Sequence, residues 1–233
     1  IAMTETDDYK ALALLDRKGC KVSLWAPPPG GIKDPSPGTW IQDFGKQGNG
    51  EGELFFPEGI CYDKNQHLWV ADTGNRRVVE FNQEGRFVRY LNGSFIDPCA
   101  VGVDFLEEQG NHLYVLDRLA KVVHVFSSDL SLVRQINLES MSNPSSMTID
   151  VDNHLWVTDS KQQKAYKYNQ EGKLLLVIQN LLSPKDVTRK IVRVFINKYI
   201  MTVDDVVKPL PVRPYLLEEH IMVPVSIISE YLG

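Results

Sequence analysis

Short apolar runs separated by polar, turn-forming clusters dominate this chain. Four such runs succeed one another in FPEGICYDKNQHLWVADTGNRRVVEFNQEGRFVRYL, from Phe56 to Leu91. They predict a first strand over Gly59–Asp63, a second over His67–Ala71, a third over Arg77–Phe81 and a fourth over Phe87–Leu91. The separators Asp63-Lys-Asn-Gln, Asp72-Thr-Gly-Asn and Asn82-Gln-Glu-Gly are rich in residues that bond their own backbone or accept left-handed conformations. β-Branched and aromatic residues fill the runs, as suits sheets packed face to face.

The pattern then repeats, over Asp97–Ile136 and again over Asn143–Ile178. An aspartate closes the second run of each unit, and Asp72, Asp117 and Asp159 fall 45 and 42 residues apart. An aromatic stands nine residues after each (Phe81, Phe126, Tyr168), and a His-Leu pair just before it (His67, His112, His154). Weaker copies flank these, one anchored at Asp16 with Trp25 nine residues on, the other at Asp204. The insertion Pro27–Thr39 lengthens the first unit and predicts a surface loop, since its prolines cannot donate to a ladder. Four short antiparallel strands at such a period define an all-β fold, a β-propeller of four-stranded blades. About five units are recognisable, so an incomplete or open ring is expected.

Residues 1–182 hold the blades anchored at Asp16, Asp72, Asp117 and Asp159. Residues 183–233 form a degenerate fifth unit or a C-terminal extension, because position 213 carries Arg213 where an aromatic is due. The first unit lacks an evident innermost strand, which a late segment such as Val223–Tyr231 would have to supply.

The motifs are specific. A glycine-rich lead, Phe44-Gly45-Lys-Gln-Gly-Asn-Gly-Glu-Gly52, precedes Phe56-Pro57-Glu-Gly-Ile. Leu68-Trp-Val-Ala-Asp72-Thr-Gly-Asn75-Arg76-Arg77-Val78 and Phe81-Asn-Gln-Glu-Gly-Arg-Phe87 follow. These units resemble the NHL repeat, whose propellers usually have six blades. The resemblance implies a partner-recruiting domain of larger proteins, including ubiquitin ligases of the tripartite-motif type, and in some members single-stranded RNA binding. No RING, B-box or coiled-coil segment is present, so a ligase role would belong to other sequence.

Composition narrows the picture little. The 233 residues carry a net charge of −5, which gives no bulk attraction to nucleic acid or to an anionic membrane. Cys20, Cys61 and Cys99 cannot all pair and lack zinc-site spacing, so reduced thiols and a cytoplasmic location are expected. The first ten residues have no apolar core for a signal peptide, and no run is long enough to span a bilayer. Since Ile1 replaces an initiator Met, the chain is open to being a fragment.

Candidate chemistry is sparse. The recurrent aspartates Asp16, Asp72, Asp117, Asp159 and Asp204 suit turn closure, in which a carboxylate accepts backbone N–H groups. His67, His112 and His154 open second strands, which sets them around the ring rather than in one three-histidine zinc site. Related propeller enzymes, the peptidyl-hydroxyglycine amidating lyases and lactonase-like hydrolases, take metal ligands at or near their inner strands. Here the positions after the introducing prolines are Glu58, Cys99, Ser145 and Lys185. No catalytic residue, metal, cofactor or small-molecule substrate is therefore expected, and Glu58 alone is a thin basis for a cation site.

Charge sorts by loop. The loops joining second to third strands carry Arg17, Lys18, Lys21, Arg76, Arg77, Arg118, Lys121, Lys161 and Lys164. The one-to-two and three-to-four turns carry mostly acids, among them Asp63, Glu84, Asp104, Asp129, Asp150 and Glu171. The expectation is a non-enzymatic platform that recruits a protein or peptide on the basic face. Single-stranded RNA on the same face is the alternative, although aromatic platforms among the cations are not evident.

Overall fold

The computed structural model describes residues 2–5, 10–26, 38–104, 112–150, 152–179, 192–194, 200–203, 206–209, 215–217 and 220–222. The chain divides into two compact units, residues 1–181 and 182–233. In the first, four antiparallel four-stranded sheets follow one another as blades of a propeller. Blade 1 is β1 (Ala2–Glu5), β2 (Lys10–Asp16), β3 (Lys21–Ala26) and β4 (Thr39–Phe44). Blade 2 is β5 (Gly59–Tyr62), β6 (Leu68–Asp72), β7 (Arg77–Phe81) and β8 (Phe87–Tyr90). Blade 3 is β9 (Pro98–Val103), β10 (Leu113–Asp117), β11 (Val122–Phe126) and β12 (Leu132–Asn137). Blade 4 is β13 (Pro144–Ile149), β14 (Leu155–Asp159), β15 (Lys164–Tyr168) and β16 (Leu174–Ile178). The innermost strands β1, β5, β9 and β13 are neighbours in chain order, which is the arrangement of blades about an axis.

Each blade packs its broad face on the next, and that demand explains the apolar runs. The second strands β6 and β10 are buried at every position, because both faces meet a neighbouring blade. Val22, Leu24, Val70, Val79 and Phe81 join blades 1 and 2; Trp69, Ala71, Val78, Val101, Val115 and Phe126 join blades 2 and 3. Tyr114, Leu116, Val123, Leu155, Val157, Tyr166 and Tyr168 join blades 3 and 4. The recurrent aromatics Phe81, Phe126 and Tyr168 are thus core, each fully buried large side chain contributing about 1.5–3 kcal/mol.

Two sequence expectations change. The first blade has its innermost strand, β1, paired to β2 from Ala2 opposite Ala13 to Glu5 opposite Lys10. Its polar composition hid it. Val223–Tyr231, suggested for that place, lies outside the described residues, as do Asp204, Lys185, Arg213 and most of the Pro27–Thr39 insertion. Strand ends shift by one residue in blade 2: Asp63 and His67 fall outside the strands because the Asp63 carboxylate closes the turn onto the His67 N–H at 2.9 Å.

In the second unit, β17 (Val192–Val194), β18 (Ile200–Val203) and β19 (Val206–Pro209) form a three-stranded antiparallel sheet. β20 (Tyr215–Leu217) pairs with β21 (His220–Met222).

Candidate binding rim

The two-to-three loops repeat a backbone device. Four residues after each anchor aspartate, Cys20, Arg76, Lys121 and Gln163 take left-handed φ values of 52°, 56°, 54° and 55°. The anchor carboxylates hold these loops and the segments that enter each blade. Buried Asp72 accepts the Phe55 N–H at 2.6 Å, the Asn75 amide at 2.8 Å and the Arg77 Nε–H at 2.8 Å. Asp117 accepts the N–H groups of Ile96, Asp97 and Ala120 at 2.6, 3.0 and 3.1 Å. Asp159 accepts those of Ser142, Asn143, Lys161 and Gln162. Asp16 accepts those of Lys18 and Gly19. Burial pushes the Asp159 carboxyl up, but its four backbone donors outweigh that and hold it below the usual range. The two-to-three loops and the blade-entry segments therefore lie on one rim.

The nine basic residues of that rim divide by partner. Arg77 is structural: besides Asp72, it donates to the carbonyls of Asn49, Gly50 and Glu53 and lies 4.3 Å from the Tyr90 ring centroid. It thereby clamps the glycine-rich lead, which Asn75 also holds through Gly48 O at 2.8 Å. Lys21 pairs with Asp43 at 2.5 Å. Arg17 meets Glu58 Oε1 at 3.0 Å and stands 5.3 Å from the Phe56 ring centroid. Arg118 meets Glu58 Oε2 at 2.9 Å and grips Asp97 with two bonds of 2.6 and 3.2 Å; its acidic partners raise its pKa. Among the described residues, Lys18, Arg76, Lys121, Lys161 and Lys164 have no ion-pair partner, and Lys18, Arg76 and Lys161 are exposed.

Sequence reasoning did not find this Arg17–Glu58–Arg118 bridge, since Glu58 lies 41 residues from Arg17 and 60 from Arg118. It also missed the rim's apolar members. Phe56, Ile96 and Leu119 are exposed by 40%, 53% and 67%, and Phe56 takes a left-handed φ of 46°. An aromatic does stand among the cations, contrary to expectation.

Of the other described positions at the entry to the inner strands, Cys99 is buried and Ser145 is hydrogen-bonded within its blade. Burial pushes the Cys99 thiol up to about 12, so it stays protonated. Ser145 Oγ lies within hydrogen-bond distance of Thr158 O and Oγ1.

The opposite rim carries a second periodic motif, of which the sequence showed the acids and the histidines but not their union. Asp63, Asp104 and Asp150 each accept the backbone N–H of the recurrent histidine, and each binds the aromatic two residues further on. These are Trp69 at 3.0 Å, Tyr114 at 3.3 Å and Trp156 at 2.9 Å. His67 pairs with Glu80, His112 with Asp104 and His154 with Asp150. His67 and His112 line one cleft of about 360 Å³ between blades 2 and 3, closer company than their positions in the repeat suggest. Asp63, His67 and Glu80 converge within 4.8 Å, as do Asp150, Asp152 and His154. Such groups have the types that ligate a metal, yet Trp69, Arg89, Trp156 and Lys167 already hold them.

These blades define a β-propeller, and the family model described as "NHL repeat" matches residues 56–81. The chain is similar to Protein lin-41 of Caenorhabditis elegans, 48% identical over 48 residues, which are 21% of this chain and 4% of that protein. It is similar to Protein brain tumor of Drosophila melanogaster, 23% identical over 138 residues, 57% of this chain and 13% of that protein. RING finger protein nhl-1 of Caenorhabditis elegans is 39% identical over 97 residues, 39% of this chain and 9% of that protein. The chain thus spans between 4% and 13% of these relatives' length. Among solved structures, a catalytically inactive virginiamycin B lyase from Staphylococcus aureus with Quinupristin superposes with a TM-score of 0.54. It is 13% identical, over 91% of this chain and 71% of that chain. A chain of a nidogen/laminin complex gives 0.56 at 13% identity, over 71% and 60%. At such identity the likeness shows the fold alone.

Proposed function

We propose that this chain is a non-enzymatic binding platform that recruits a protein or peptide on the rim of its two-to-three loops. The observation that carries the proposal is the division of the nine rim cations. Arg17, Lys21, Arg77 and Arg118 are held by Glu58, Asp43, Asp72 and Asp97. Exposed Phe56, Ile96 and Leu119 lie among them. A polyanion is held by rows of free cations, whereas protein partners favour mixed apolar and polar surfaces. Glu58 and Ser145, where related lyases place ligands, are engaged internally and Cys99 is buried, which supports binding rather than catalysis. A cytoplasmic setting belongs to this proposal; no helix among the described residues is long and apolar enough to cross a membrane.

Single-stranded RNA is the second reading, favoured by the cations that have no ion-pair partner among the described residues and by the Phe56 ring under Arg17. Fluorescence anisotropy with mixed-sequence RNA oligomers at two salt concentrations separates the two. The platform proposal expects weak binding indifferent to the rim. Tight binding with a steep salt slope, lost on charge reversal of Arg76, Arg118 and Lys161, would install RNA in its place.

A further inference from the structure

We propose that the blade 1–3 sector of the rim takes a peptide segment with central apolar side chains and flanking carboxylates, and that Glu58 sets this preference. The inference rests on the platform proposal and names its partner chemistry. The sector is continuous. The Phe56 ring lies under Arg17, Arg17 meets Glu58, Glu58 meets Arg118, and Arg118 grips Asp97. Ile96 precedes Asp97 and Leu119 follows Arg118, so three exposed apolar side chains surround one ionic chain.

Its geometry is set before any partner arrives. Asp72 fixes the Phe55 N–H and Asp117 those of Ile96, Asp97 and Ala120, so the backbone under each apolar residue is tethered to a buried carboxylate. Phe56 keeps a left-handed φ, a conformation bulky residues avoid unless their surroundings impose it. Apolar side chains presented on a tethered backbone lose little freedom on binding.

Charge then selects the occupant. Glu58 and Asp97 neutralise Arg17 and Arg118 at the centre, leaving Lys18, Arg76 and Lys121 as the cations around it. A phosphate backbone would cross a centre with no free cation. A peptide with leucine or an aromatic in the middle and aspartate or glutamate at its ends meets each group with its complement. Glu58→Gln removes the carboxylate that Arg17 and Arg118 share and frees Arg17, while Arg118 keeps Asp97, so that variant should admit polyanions the wild type refuses.

The test is panning of a phage-displayed random dodecapeptide library on the full chain, followed by anisotropy with the synthetic peptides and with oligo(U). Expected are clones joining apolar or aromatic residues to flanking acids. Affinity should fall about tenfold or more in Leu119→Asp and Ile96→Asp, the scale of losing a buried anchor. Both positions are exposed, so the melting temperature of each variant should match the wild type. Glu58→Gln should raise oligo(U) affinity about tenfold. Enrichment of basic clones, or of clones indifferent to Leu119→Asp and Ile96→Asp, overturns the assigned sector and leaves the platform proposal standing. An empty selection, or salt-steep oligo(U) binding by the wild type, overturns both.

Discussion

Asp72 shows how one side chain ties sequence, fold and rim together. Its carboxylate is fully buried and satisfies a loop N–H, a side-chain amide and a guanidinium at once. Removing one member of such a pair leaves the other charged and desolvated. Asp72→Ala should therefore cost about 3–5 kcal/mol in urea denaturation, and Arg76→Ala, exposed and without an ion-pair partner among the described residues, within about 0.5 kcal/mol. Equal losses would mean that the anchor carboxylate is not what holds the loop. His124 gives a pH signature. It lies 5.4 Å from Phe95, centroid to centroid, its Nε2 has no hydrogen-bond partner among the described residues, and burial lowers its pKa from 6.5. With the folded value below the unfolded one, its neutral form contributes stability above about pH 6.5, and that contribution is lost as pH falls through the folded value. His124→Leu should flatten the fall in melting temperature below that pH; an unchanged slope would remove His124 from the account.

Blades were legible at the scale of elements because their causes are local. Turn aspartates, left-handed positions and buried second strands recur within a single unit, so one unit explains the next. What stayed hidden was set across blades. Glu58, the partner that Arg17 and Arg118 share, enters blade 2, and β1 was masked by its polar residues Thr4 and Glu5. Exposure of Phe56, Ile96 and Leu119 was hidden for a related reason: an apolar residue beside a turn reads as core until neighbouring blades are placed. Close approach of inner strands is another relation across blades. A Cβ on Gly59 of β5 would stand 2.7 Å from Ala100 Cα and 2.9 Å from Cys99 O of β9. Gly59→Ala should cost about 1–3 kcal/mol by forcing the two strands apart. Wild-type stability in that variant would show that the blades do not meet there.

At the scale of the whole first unit, repetition sorts chemistry between two rims. One gathers the blade-entry segments and the two-to-three loops, with exposed apolar residues and cations. The other gathers the Asp–His–aromatic turns and is tied across blades by Gln42 to Glu84 O at 3.0 Å. Histidine and aspartate recur there in three blades, a regularity that suits construction more than recognition. The proposed binding rim differs from blade to blade: Glu58 is replaced by Cys99 and Ser145, and Phe56 by Asp97 and Asn143. Variation on a constant frame is how a repeat fold acquires a specific surface. Hydrogen–deuterium exchange of the chain with a selected peptide tests this division most directly. Protection should fall on residues 55–58, 96–99 and 118–121 and spare 63–67, 82–86 and 127–131. Protection confined to the latter set would place recognition on the wrong rim and contradict the account.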